Sequence, residues 1–145
     1  MIVIIDSNLI FSCFYAPQGV IASLLLNNEN IQFIAPDIII EEVYNHLSEI
    51  TEYTGKSKRQ ILSELNEITA GIELYKVQKI PKEHIRKAAE TVKDIDIDDT
   101  FFVALHLYQK HKIWTGDLQL IDGLKKKGYD ICITTAEIRK SLYKK

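Results

Sequence analysis

The chain alternates short, wholly apolar runs with longer stretches of helical period. Ile2 to Ile5 is four aliphatics in a row, and Ile31 to Ala35, with Gln32 as its one polar position, is a second strand candidate. Short continuous apolar runs read as strands covered on both faces, as in a parallel sheet. From Asp37 to about Ser48, Ile39, Ile40, Val43 and Leu47 recur on one side of a helix opened by Pro36-Asp37. Thr54-Gly55-Lys56 breaks the pattern, Ser57 stands where a cap is needed, and a helix is expected from Lys58 to Ala70 with Gly71 closing it. Ile72 to Ile80 holds a short strand. Pro81 opens a helix to about Val92, and Asp98 or Asp99 opens another to about Lys110. Lys112 to Thr115 and Asp130 to Thr134 are strands, Leu118 to Lys127 is a helix ended by Gly128, and Ala136 to Tyr143 is a last helix. Strands alternating with helices over the whole length predict an α/β fold: three α/β/α layers around a mainly parallel central sheet.

Composition narrows the class. The 145 residues are 46% apolar and 26% charged with net charge -2, too apolar and too neutral for a disordered chain. No internal repeat or Pro/Gly-rich linker divides them, so residues 1–145 are expected to form one domain. No apolar run approaches the ~20 residues of a membrane span, and the apolar start ends at Asp6 with no basic segment before it, unlike a signal peptide. Cys13 and Cys132 make neither a disulfide framework nor a zinc site and read as buried thiols in a reducing cytoplasm. The small net charge hides an asymmetry. Residues 1–100 carry 16 acids and 9 bases, whereas residues 101–145 carry 4 acids and 9 bases. The basic part includes Lys110, Lys112, Lys125, Lys126, Lys127, Lys140, Lys144 and Lys145. It suits either a polyanion partner or a solvated helix face with a basic tail.

In parallel sheets, function collects at the carboxyl ends of the strands. Asp6 directly follows the first strand, and Asp117 follows Trp114-Thr115-Gly116 at the end of another. Glu42 falls in the first turns of the helix after the second strand, and Asp99 starts the helix that runs to Lys110. Strand ends and helix starts share one sheet edge, so these acids converge. Alone, each has a plainer role as a cap, a turn former or a solvated face. Together they would repel by several kcal/mol in a partly dry site, unless hard divalent cations neutralise them. Glu41 competes with Glu42, and Asp96 or Asp98 with Asp99. In the run from Asp94 to Asp99, alternating Ile95 and Ile97 suggest an extended entry burying one side and turning Asp94, Asp96 and Asp98 to the other. It is no EF-hand, because the sixth and twelfth positions hold Asp99 and Leu105 instead of Gly and Glu. His106 shares a helix face with Asp99 and Val103 and is read as packed; His46, one turn after Glu42, is either a partner of the site or a surface residue.

The sequence resembles the PIN domain family of nucleases over roughly residues 2 to 135. The matching pieces, in order, are Ile5-Asp6-Ser7-Asn8; Pro36 with Glu42-Val43 six positions on; Asp96-Ile97-Asp98-Asp99 before Phe102-Val103-Ala104-Leu105; and Trp114-Thr115-Gly116-Asp117. The resemblance implies a parallel sheet between helices and Mg²⁺- or Mn²⁺-dependent hydrolysis of RNA phosphodiesters. Asp6, Glu42, Asp99 and Asp117 would be the metal-holding catalytic acids. Asn8, Thr115 and Asp96 would support them, and Lys125, Lys126 and Lys127 would hold the nucleic acid backbone. The family's VapC-type toxins imply an antitoxin partner and a homodimer. The segment Glu49 to Gly71 reads as a helical hairpin standing off the sheet, whose Tyr53, Ile61, Leu65 and Ile68 would meet a second subunit or antitoxin, or pack as plain core.

Two other functions compete. An aspartyl-phosphate protein would also place Asp6 after the first strand. A phosphatase of that kind needs a second Asp at position 8, where Asn8 stands, and a receiver domain needs an early acid pair and a mid-chain acid that are missing. A non-catalytic RNA-binding or scaffold module of the same fold is disfavoured by the presence of all four acids.

Overall fold

The computed structural model describes residues 1–27 and 30–143, so Lys144 and Lys145 of the basic tail lie outside the described residues. Five strands, β1 (Ile2–Ile5), β2 (Gln32–Pro36), β3 (Ile72–Tyr75), β4 (Ile113–Trp114) and β5 (Cys132–Ile133), form one sheet in the order β3-β2-β1-β4-β5. Every pairing is parallel; Ile4 stands opposite Ile34 on one side and Ile113 on the other. Nine helices connect them among the described residues: α1 (Ser7–Tyr15), α2 (Val20–Asn27), α3 (Ile38–Asn45), α4 (Leu47–Thr54), α5 (Lys58–Ala70), α6 (Lys82–Val92), α7 (Thr100–Gln109), α8 (Leu118–Lys126) and α9 (Thr135–Tyr143).

The layers follow from the strand order. From β1 the chain steps outward to β2 and then β3, and right-handed crossovers put α1 to α5 on one face. It then returns past β1 to β4 and steps the other way to β5, so the same handedness puts α6, α7 and α8 on the opposite face. The result is the α/β/α sandwich expected. β1 is covered on both sides, and Val3, Ile4 and Ile5 are almost wholly buried. The order reverses between β1 and β4, which opens a crevice beyond their carboxyl ends.

Several local expectations shift. No helix was expected between Asp6 and Ile31, yet α1 and α2 fill that stretch, meeting at 107°. No single helix among the described residues is long and apolar enough to cross a membrane. The one helix expected from Asp37 to Ser48 is two, because His46 leaves helical geometry (φ -108°, ψ 12°). The break lets α4 turn Leu47 and Ile50 into the core. Ser57 caps α5 through a reciprocal pair with Gln60, Ser57 Oγ accepting from the Gln60 amide at 3.2 Å and Gln60 Oε1 from the Ser57 amide at 2.8 Å. Ile61, Leu65 and Ile68 of the supposed outlying hairpin are buried in the chain's own core, whereas Tyr53 is 72% exposed.

Candidate active site

The run before α7 does not extend as its alternation suggests. The Asp96 side chain accepts from the Asp98 amide at 3.0 Å and curls the chain into a 3-10 turn, Ile97–Asp99. That cap destroys the two-residue period: Ile97 is left 54% exposed, and Asp94 turns away to Lys127. The curl delivers Asp99 to the start of α7 as a buried residue, 8% exposed. Its carboxylate does not cap the helix, and among the described residues its Oδ2 is the one buried side-chain polar atom without a hydrogen-bond partner.

Asp6 ends β1 and is 2% exposed. It too declines to cap the helix that follows it. Instead Asp6 Oδ2 accepts from the Thr115 hydroxyl at 2.7 Å, and the same Thr115 oxygen accepts from the Asp117 amide at 3.1 Å. Thr115 thus ties the ends of β1 and β4 together. Asp117 Oδ1 caps α8 by accepting from the amides of Gln119 (3.0 Å) and Leu120 (3.3 Å). Glu42 is half-buried on the inner side of α3 while Glu41 is exposed. The Ser7 hydroxyl stands between two of these acids, 3.5 Å from Asp6 Oδ1 and hydrogen-bonded to the Glu42 carboxyl.

The electrostatics are those of like charges held together. Burial pushes the Asp99 carboxyl up to about 8, and Asp6, Asp96, Asp117 and Glu42 all push the same way. Burial raises Glu42, with Ser7 pulling it back and Asp6 and Asp98 pushing further. Burial raises Asp6 as well, against the pull of its bond to Thr115. No lysine or arginine ion pair among the described residues reaches this group; the lysine pairs go from Lys56 to Glu64, Lys93 to Glu90 and Lys127 to Asp94.

The remaining expected residues fall as follows. Asn8 is exposed and faces a neighbouring groove, and Ser7 beside it occupies the place between acids. Sequence reasoning gave Ser7 no role; its one signal was position, directly after Asp6 at a helix start. Lys125, Lys126 and Lys127 follow one another at the end of α8, where Lys127 also donates to the Thr91 carbonyl at 2.6 Å. His106 Nδ1 bonds the His111 carbonyl at 2.7 Å, so it packs rather than approaching the acids. His46 is half-exposed, 3.4 Å from Glu49. Burial pushes the Cys13 thiol up to about 11 and the Cys132 thiol to about 12, and both stay protonated.

With this geometry the sequence profile of the PIN domain matches residues 4–142. The chain belongs to the PIN domain family. PIN domain proteins are generally nucleases and generally use divalent metals. No curated protein sequence matches this PIN domain. Among solved structures it is similar to a chain of VapBC2 from Rickettsia felis, crystallised bound to a DNA fragment from their promoter. The TM-score is 0.67 at 15% identity, covering 92% of this chain and 97% of that one, which shows a common fold.

The chemistry of the site suits a divalent ion. Its donors are oxygens, the class that Mg²⁺ and Mn²⁺ prefer, and Asp99 Oδ2 is an acceptor with nothing to accept from. As the side chains stand, no group of three His, Cys, Asp or Glu among the described residues is close enough to surround an ion. The residues therefore fit the ion by donor type and charge, and the carboxylates must draw inward to hold one.

Proposed function

We propose that this PIN domain is a Mg²⁺- or Mn²⁺-dependent endoribonuclease that hydrolyses single-stranded RNA. The observation that carries the reading is the buried, unpartnered oxygen of Asp99 amid the carboxylates of Asp6, Glu42 and Asp117. A folded chain does not keep such an atom cheaply; leaving a buried polar group unsatisfied costs about 1–3 kcal/mol, more for a charge. Asp6, Glu42, Asp99 and Asp117 would hold the ions. Bound there, a divalent ion supplies a water acidic enough to be deprotonated near neutral pH and charge stabilisation for the phosphate.

The chain's other residues prepare that site. Thr115 fixes Asp6, Ser7 separates Asp6 from Glu42, and Asp96 sets the turn that delivers Asp99. Asn8 borders the site at the start of α1. Lys125 and Lys126 hold the phosphate backbone, with a smaller share for Lys127, which is already engaged by Asp94. Residues 1–145 act as one domain. The fold shared with a chain of VapBC2, a complex bound to promoter DNA, supports a toxin role with an antitoxin partner, and with it a homodimer in the cytoplasm.

The test is single-turnover cleavage of labelled single-stranded RNA with a matched DNA control. The wild type cuts RNA with Mg²⁺ or Mn²⁺ and stops on adding EDTA. Glu42→Gln loses orders of magnitude, while Glu41→Gln is nearly silent. Titrating Mn²⁺ raises the melting temperature of the wild type and not of Asp6→Asn. A folded, metal-saturated wild type that cuts neither polymer would leave the non-catalytic RNA-binding module as the better account.

A further inference from the structure

The acid edge runs on into an aromatic surface that the proposed chemistry does not use. Asn8, Phe11 and Tyr15 recur three and four residues apart on one face of α1, which begins directly after Asp6 and spans about 10 Å from Asn8 to Tyr15. α4 packs beside α1 and adds Tyr53. The Tyr15 and Tyr53 rings meet edge to face with centroids 4.7 Å apart at 80°, and Phe11 meets His46 at 5.3 Å and 88°. These contacts fix the rings without covering them: Tyr15 is 37% exposed and Tyr53 is 72% exposed.

Two cavities join this surface to the acids. One of about 290 Å³ is lined by Asn8, Phe11, Tyr15, His46 and Glu49. The other, about 320 Å³, contains Glu42, Asp98, Ile97 and Phe101 and shares His46 as a wall. The two cavities share the His46 wall, so adjacent grooves form a lane from Glu42 to Tyr15, with the Tyr53 ring against that of Tyr15.

We infer that this lane is a nucleobase-stacking subsite, in which Phe11, Tyr15 and Tyr53 seat consecutive bases of a single strand beside the scissile phosphate. The inference rests on the nuclease reading above. Charge decides which part of the strand faces the lane. Glu49, outside the proposed ion site, is the acid lining the aromatic groove, so phosphates are repelled there and the uncharged bases turn inward. The length suits the ligand: 10 Å accommodates about three bases stacked at 3.4 Å. The chemistry suits it too, because aromatic faces take any base without sequence preference.

The probe is a short RNA carrying 2-aminopurine, a base whose fluorescence is quenched on stacking. It is titrated into chains carrying Asp99→Asn to prevent cutting, with Tyr15→Leu, Tyr53→Leu or both added. Quenching is expected with Tyr15 and Tyr53 intact. The double leucine variant should lose quenching and weaken binding by at least about tenfold, while Tyr15→Phe with Tyr53→Phe keeps both, since the ring and not the hydroxyl stacks. Cleavage of long RNA by the otherwise wild-type chain is measured in parallel. If that chain cuts RNA and the leucine variants bind and quench like their parent, the subsite is wrong and the nuclease reading stands. If the leucine variants leave binding unchanged and convert a dimer to a monomer by light scattering, the tyrosines belong to an interface between copies. If the parent binds no RNA, the subsite falls, and the cleavage arm alone decides the nuclease reading.

Discussion

Asp99 shows what the site costs the fold. Its carboxyl sits near 8 in the folded chain against about 3.9 in an unfolded one. Between those values the folded state keeps a proton that the unfolded state releases, so the contribution of Asp99 to metal-free stability is fullest below about pH 4. That contribution falls as pH rises and is gone above the folded value near 8. Asp99→Asn removes the titrating group and one negative charge while keeping the shape. Its melting temperature without metal should exceed that of the wild type at pH 8 and vary less from pH 5 to pH 8, while cleavage falls by orders of magnitude. A variant less stable than wild type at pH 8 would contradict this. At this scale the sequence was informative about chemistry and silent about orientation. Asp6, Glu42, Asp99 and Asp117 could be picked out by their places at strand ends and helix starts. That Glu42 turns inward and Glu41 outward depends on the phase of α3, and that Ser7 lies between two acids depends on three elements meeting.

Elements were legible where their faces differ. α5, with its cap pair and clear polar side, falls on Lys58–Ala70 as its pattern indicates. α1 was not, because Leu9, Ile10, Cys13 and Phe14 are buried while Phe11 and Tyr15 fill the other side, leaving no apolar-polar contrast to read. The break at His46 has neither Pro nor Gly to announce it. One contact between elements makes a prediction. Gly123 in α8 lies so close to Ile95 that an added Cβ would stand 2.8 Å from Ile95 Cδ1 and 2.9 Å from its Cγ1. An alanine gains up to about 1 kcal/mol of helix propensity, but overpacking costs about 1–3 kcal/mol. Because Cγ1 and Cγ2 are also crowded, the whole Ile95 side chain must move, and it precedes the turn that places Asp99. Gly123→Ala should lower the melting temperature by a few degrees and weaken Mn²⁺ binding, by thermal denaturation with and without the ion. A melting temperature raised by the alanine would mean that propensity outweighs the clash.

For the whole molecule, the strand-helix alternation sufficed to foresee the layers, since handedness leaves few ways to thread a parallel sheet. The position of the reversal, between β1 and β4, was not legible, because strand order is a matter of long-range pairing. The homodimer proposed above should appear as twice the chain mass of 16.7 kDa by light scattering at micromolar concentration, and a monomer there would remove the dimer while leaving the site intact.

That reversal also carries a consequence for timing. The strands that bracket the crevice are neighbours in space but far apart in the translated order: β1 is the first strand made, and Thr115 and Asp117 come only with β4, after β2, β3 and seven helices. Contacts of such sequence separation close late in folding, so a nascent chain on the ribosome holds Asp6 and Glu42 long before it can assemble a complete set of carboxylates. Under the proposed function, a partly synthesised copy cannot yet cut the RNA that surrounds it. Trp114, the only tryptophan and fully buried on β4 against Phe33, reports the closing step. In refolding, the change in its fluorescence and the onset of Mn²⁺ binding should share one rate.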